Sequence, residues 1–363
     1  MSKLEELIKE LCPNGVEHRK LSEIVKMSRG VRVVRSQLTD DGRYPVFQNS
    51  MTPLGYYSEY NCPKDTVFLI SAGAAGEIGY SDTPFWAADD CWYFECGKNL
   101  NGRFLYYALA CKQEYIFSRV RKASVPRLSR NVIDMLQIPL PPLAVQREIV
   151  RILDKFTLYS QELAAELAAR KKQYEFYRDK LLAHDKVRKV ALKELCINHD
   201  SKRRPITKNR RTVGQYPYYG ASGIVDYVDD YLFDGQYLLI SEDGANLLAR
   251  STPIAFSISG KAWVNNHAHV LEFNNKATRR YVEIYLNSIN LQKYISTAAQ
   301  PKLTQENLNR IEIPLPPLEV QERIVKVLDN FDAICSDLGI GLPAEIEKRQ
   351  QQYEFYRDKL LTF

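Results

Sequence analysis

Ile138-Pro-Leu-Pro-Pro-Leu-Ala-Val-Gln-Arg-Glu-Ile-Val-Arg-Ile-Leu-Asp-Lys-Phe156 returns 175 residues later as Ile313-Pro-Leu-Pro-Pro-Leu-Glu-Val-Gln-Glu-Arg-Ile-Val-Lys-Val-Leu-Asp-Asn-Phe331, with 13 of 19 positions identical. Gln173-Tyr-Glu-Phe-Tyr-Arg-Asp-Lys-Leu-Leu182 returns unchanged as Gln352 to Leu361, at a spacing of 179. Ten identical residues in a row mark an internal duplication, and a repeat fixes architecture before any local reading does. Between these constant segments the chain diverges. Tyr44-Pro-Val-Phe-Gln-Asn-Ser50 parallels Tyr216-Pro-Tyr-Tyr-Gly-Ala-Ser222, Trp86-Ala-Ala-Asp89 parallels Trp263-Val-Asn-Asn266, and Ser124-Val-Pro-Arg-Leu-Ser129 parallels Ala299-Gln-Pro-Lys-Leu-Thr304. The order is variable, constant, variable, constant.

The constant segments read as long helices. Ile149, Leu153, Phe156, Leu163, Leu167, Tyr174, Tyr177 and Leu181 step by fours and threes, the spacing of a coiled-coil seam, with Ser160 and Arg170 as its imperfect positions. The second copy offers Ile324, Leu328, Phe331, Cys335, Leu338, Ile346, Tyr353, Tyr356 and Leu360. Pro-Leu-Pro-Pro cannot continue a helix and sets an extended approach to each one. The four extra residues of the second copy fall near Gly339-Ile-Gly-Leu-Pro343, where two glycines and a proline predict a break.

The variable parts read as mixed α/β. Strands are expected at Thr66–Ile70, Trp92–Phe94, Tyr237–Ile240, Pro253–Ile258 and His269–Phe273. Helices are expected at Leu4–Leu11, Asn101–Ala110 and Arg279–Ser288. Basic stretches lie at Lys26–Arg35, Arg119–Arg130 and Ser201–Arg211. The last holds six bases in eleven residues, a density suited to phosphate contact or to a solvated loop.

Composition sets bounds on these readings. The 363 residues suit two to three domains, and 45% hydrophobic with 26% charged residues is a globular balance. Lys and Arg exceed Asp and Glu by 50 to 44, which permits a polyanionic partner. Seven scattered cysteines argue against a secreted disulfide framework and for a cytoplasmic chain. Neither a signal peptide nor a membrane span is expected.

Catalytic signatures are missing. There is no Gly-x-x-x-x-Gly-Lys-Ser/Thr, and Ser71-Ala-Gly-Ala-Ala-Gly-Glu-Ile-Gly79 reads as a strand-ending turn. Both Pro-Pro pairs sit in Leu-Pro-Pro-Leu, not in the Pro-Pro-aromatic box of amino-methyltransferases. His267-Ala-His269 and the pair Cys91 and Cys96 lack further ligands at metal spacing, so no metal or cofactor is expected.

The duplicated Ile-Pro-Leu-Pro-Pro-Leu segments, Tyr216-Pro-Tyr-Tyr-Gly-Ala-Ser-Gly-Ile224, Asp243-Gly-Ala-Asn-Leu247 and Trp263-Val-Asn-Asn-His-Ala-His269 stand together in this chain. In that combination it resembles the DNA specificity subunit of type I restriction–modification systems, over essentially its whole length. The resemblance implies a non-catalytic subunit with two target-recognition domains, 1–140 and 186–315. These are joined by a central helix (141–185) and a C-terminal helix (316–363), packed antiparallel. It implies double-stranded DNA as partner, two methyltransferase subunits docked on the helices, and restriction subunits in the full complex. The expected fold is therefore α+β with a pseudo-two-fold internal repeat. DNA geometry argues for the same symmetry, because a tandem repeat grips both antiparallel strands equivalently only through a two-fold. A coiled-coil protein scaffold, or a decoy subunit that reads no DNA, is the competing reading.

Lys and Arg would hold phosphates, and Arg, Asn, Gln and Tyr on loops would read base edges. The candidates in the first domain are Arg29, Arg32, Arg35, Gln48 and Asn49. In the second they are Lys202, Arg203, Arg204, Lys208, Arg210, Arg211 and Tyr219. Arg127 and Lys302 hold matched positions before the constant segments, as phosphate contacts or as helix caps. Val145, Val150, Ile152 and Leu158 are expected to form the helix face that takes methyltransferase subunits.

Overall fold

Each variable region folds because its alternating and all-apolar runs must be covered on both faces, and the helices that follow in sequence supply the cover. The computed structural model describes residues 2–39, 41–183, 187–296 and 300–363. The domain boundary expected at 185/186 and the aligned Ala299 lie outside the described residues. The chain divides into two units, Met1–Ala164 with Glu345–Phe363, and Ala165–Ala344.

The first unit starts with α1 (Lys3–Leu11), whose Ser2 cap accepts from Glu5 N while the Glu5 carboxylate accepts from Ser2 N. β1 (His18–Lys20), α2 (Leu21–Ile24), β2 (Val25–Arg29), β3 (Tyr44–Phe47), β4 (Gly55–Tyr57), β5 (Thr66–Ile70), β6 (Ile78–Ser81), β7 (Trp86–Ala87) and β8 (Cys91–Cys96) follow. β2, β8, β5 and β6 form a four-stranded antiparallel sheet in that order. β4, β3 and β7 form a small sheet in which β3 and β7 run parallel, Val46 against Trp86. α3 (Gly102–Ala110), α4 (Gln113–Ser118) and α5 (Arg130–Asp134) precede β9 (Gln137–Pro139), which pairs with β1. β5 is buried at all five positions, and Val67 and Leu69 share one core with Phe104, Leu105, Ile149 and Leu153.

α6 runs unbroken from Leu143 to Leu182 over 40 residues. At 1.5 Å per residue that is about 60 Å. Its first turn is fixed by buried Gln146, whose amide meets Asn101 N, Asn99 O and Pro141 O at 2.7–2.9 Å.

The second unit repeats the plan with longer strands. β10 (Lys189–Ala191) pairs with β17 (Glu312–Pro314) as β1 does with β9. β11 (Ile197–Asn198), β12 (Val213–Gly220), β13 (Gly223–Val228), β14 (Phe233–Ser241), β15 (Ala255–Val264) and β16 (Ala268–Glu272) form one six-stranded sheet, ordered β11-β16-β14-β15-β12-β13. Here too one pair is parallel, Tyr218 of β12 against Trp263 of β15. α7 (Asn246–Ala249), α8 (Lys276–Ser288) and α9 (Gln305–Asn309) cover it. The strand expected at Pro253–Ile258 instead runs Ala255–Val264, because it pairs with the whole length of β14.

α10 (Leu318–Ser336) and α11 (Leu342–Leu361) carry the second constant segment, and the interval between them holds the expected break. Asp337 Oδ1 accepts from Gly339 N and Ile340 N there. Gly341 lies so close to the preceding turn that a Cβ would sit 2.6 Å from the carbonyls of Ala333 and Asp337. Leu338, a seam position by spacing, falls in this break and is 78% exposed.

In the second unit the Tyr177 ring stacks on Phe331 at 5.8 Å, while Cys335 lies in the field of Arg170 and Lys171. Numbers rise along one helix as they fall along the other, so the pair is antiparallel. In the first unit Phe156 stacks on Tyr356 at 5.3 Å. The Lys359 charge acts on Glu5 of α1, whose neighbour Lys3 reaches Glu148 at 3.4 Å. The order is again opposed. The same ion pair locks domain to helix in both copies: Arg103 Nε to Asp154 at 2.8 Å, and Arg280 Nε to Asp329 at 2.7 Å.

Candidate nucleic-acid interface

In each unit a tryptophan on the parallel strand pair pins the basic loop. Trp86 Nε1 donates to Val31 O at 2.8 Å, and Val31 N returns a bond to Ala87 O at 2.9 Å. Trp263 Nε1 donates to Arg204 O at 2.6 Å. An indole offers one donor on a rigid plane, so each loop backbone is tied to the sheet without engaging the loop's own side chains. The aligned Trp86 and Trp263 were the signal for this in the sequence.

Around the first loop, Arg32 and Arg35 are exposed, and Arg29 donates to Asp89 O at 2.6 Å. Asn49 is exposed and Gln48 half-buried. The Asn49 carbonyl accepts from Ala74 N at 2.9 Å, so this pair is carried on the turn after β5. Arg127 is exposed and bridges to Ala72 on that turn and to Arg121. Lys302 makes the equivalent bridges to Asp243 and Ser296.

The second loop sorts into two kinds of base. Lys202, Lys208 and Arg210 point to solvent, and the exposed Arg204 guanidinium donates to the carbonyls of Ser201 and Arg203. Arg211 is held on the Tyr218 ring at 4.5 Å and bonds Asp226 at 3.1 Å. Arg203 reaches inward to Glu242 at 2.6 Å, Asp200 at 3.3 Å and Ala268 O at 2.8 Å. Its side chain fixes the loop from beneath. Tyr219 is half-buried against Phe256.

Arg203 belongs to a buried network that the sequence did not announce. Asp200, Glu242 and His269 bring their ligand atoms within 4.8 Å of one another. His269 Nδ1 lies 2.6 Å from Asp200, and Nε2 donates to Leu303 O at 2.8 Å. The Arg203 guanidinium and, at 3.0 Å from Glu242, the Lys302 ammonium already neutralise the carboxylates, as a cation would. Burial works to raise both carboxyl pKa values, but the bonds from His269 to Asp200 and from Arg203 to Glu242 prevail and leave both below their ordinary values. His267 is likewise satisfied, by Asp243 at 2.9 Å. Burial pushes the Cys96 thiol up to about 11 and Cys62 up to about 12, so these are inert small hydrophobes.

The expected partner face on α6 needs a correction. Val145 is fully buried in the first unit's core, because the Gln146 bonds press this turn onto the domain. Val150 and Ile152 pack partly against that core, and Leu158, 54% exposed, stays open.

The type I restriction modification DNA specificity domain matches residues 13–170 and again 184–348. A chain named as a type I specificity subunit in Mycoplasma pneumoniae is 34% identical over 244 residues, 62% of this chain and 93% of that one. The specificity subunit of Escherichia coli EcoR124I/EcoR124II is 34% identical over 259 residues, 62% of this chain and 63% of that one. In fold, the chain is similar to the crystal structure of a type I system S subunit from M. genitalium, with a TM-score of 0.66 at 18% identity over 96% of this chain and 97% of that one. The chain belongs to the type I restriction modification DNA specificity family. The domain that defines this family is the DNA specificity domain of type I restriction modification systems. No described helix is long and apolar enough to cross a membrane.

Proposed function

We propose that the chain reads a split, asymmetric DNA sequence, each half of the site by one variable domain. The domains are taken as 1–140 and 186–315, the connectors as 141–185 and 316–363. The observation that carries this reading is the repeated Trp-pinned basic loop, on one scaffold but with different side chains: Arg29, Arg32 and Arg35 in one copy, Lys202, Arg204, Lys208 and Arg210 in the other. Gln48, Asn49 and Tyr219 are the candidate base readers, and Arg127 and Lys302 the phosphate contacts that close each turn. Arg203 and Arg211 hold the second loop in shape. The helices set the spacing of the half-sites. Two methyltransferase subunits dock along them, with Leu158 in the first contact, and restriction subunits complete the complex in the cytoplasm.

Replacing residues 1–140 with the first domain of another family member tests the reading. Base-resolution mapping of methylation in cells is expected to show one half of the motif changed and the other kept. An unchanged motif refutes it and leaves the protein scaffold as the better account.

A further inference from the structure

A cavity of about 760 Å³ opens in the second unit between the start of α8 and the flank of α10. Its wall carries an unusual group. Arg279 is only 8% exposed, and its Nε is buried without a hydrogen-bond partner among the described residues. The nearest carboxylate, Glu283, is already engaged by Arg280 and by the Ser257 hydroxyl. Asp329 is engaged by Arg280 as well. A guanidinium stays charged when buried, and an unpaired buried charge is costly. Burial indeed lowers the Arg279 pKa.

The surroundings favour negative charge. Lys276 and Lys326 stand exposed at the rim, with Glu322 the one carboxylate there that makes no ion pair among the described residues. α8 is 13 residues long and points its positive end at the cavity, although Asn275 already caps Ala277 N and Thr278 N. The site is also particular to this copy. Matching the ion pairs Arg103–Asp154 and Arg280–Asp329 places Gly102 where Arg279 stands, and a Cβ at Gly102 would lie 2.6 Å from Asp65 O. The corresponding cavity in the first unit is lined by Asp65, Asp82 and Asp154.

We propose that this cavity is an oxyanion site in which Arg279 grips a phosphate or carboxylate group, with Lys276 and Lys326 guarding the mouth. The planar fork of arginine matches both groups. The site holds whether or not the loops read DNA as proposed above, since none of its residues is among the candidate DNA contacts.

Calorimetric titration of the full chain with inorganic phosphate, and separately with succinate, at matched ionic strength tests it. Saturable binding of at least one is expected, weakened roughly tenfold or more in R279M and in the surface variant K276E/K326E. Binding is expected to persist in K208A/R210A, which empties the basic loop. R279M is also expected to melt at a higher temperature than the unchanged chain in anion-free buffer. A response to phosphate alone assigns a phosphate ligand, and a response to succinate assigns a carboxylate such as an acidic side chain of a neighbour. No saturable binding of either, or binding untouched by K276E/K326E, overturns the proposal even if R279M fails to fold.

Discussion

Trp263 Nε1 reaches the carbonyl of Arg204 at 2.6 Å and so ties the densest basic segment of the chain to the sheet, beside the anchors of Arg203 and Arg211. Phenylalanine keeps the ring and deletes the donor. W263F is expected to lose about 1 kcal/mol of stability and to weaken DNA retention roughly fivefold. Fluorescence anisotropy with the assembled methyltransferase, beside a melting curve, checks both numbers. Unaltered retention would mean the loop needs no such anchor.

The exposed bases on that loop should behave as phosphate contacts. K202A, K208A and R210A are each expected to reduce the slope of log affinity against log salt by about 1, with no change in the preferred sequence. A variant that changes the methylated motif instead is reading a base.

Arg203 sits among Asp200, Glu242 and His269 rather than in solvent. R203M leaves two buried carboxylates without their guanidinium, and a loss of about 3–5 kcal/mol is expected at neutral pH. Both carboxyl pKa values are lower in the folded chain than in the unfolded one. Their contribution is therefore complete above the unfolded values near 4 and falls away as pH drops through the folded ones. Urea melts across this acid range should show stability falling with pH, and falling less steeply in R203M.

Gly341 gives a test of the helix break. An added methyl meets two backbone carbonyls, which cannot move aside as a side chain would. G341A is expected to cost about 1–3 kcal/mol. Hydrogen exchange at the end of α10 should speed up, and unaltered exchange there would show that the break yields freely.

The architecture was legible because it was written twice. The Pro-Leu-Pro-Pro starts, the 40-residue helix and the strands at Thr66–Ile70 and Tyr237–Ile240 follow from local pattern alone. The candidate interface was legible only by type. Charge density marks Ser201–Arg211, yet nothing in the spacing tells Lys208, which points out, from Arg203, which points in. That difference depends on Asp200 and Glu242, 42 residues apart in sequence and joined only by folding. Val145 was misplaced for a related reason. Helical period gives a face, but the Gln146 bonds decide which face the domain covers.

The ten residues shared by Gln173–Leu182 and Gln352–Leu361 do not stay with the domain that precedes them. The first copy lies in the unit Ala165–Ala344, and the second returns to the unit that begins at the N-terminus. Severing the chain after Leu182 would therefore part each unit from the strut that finishes it, because each fragment would leave carrying the copy that packs in the other.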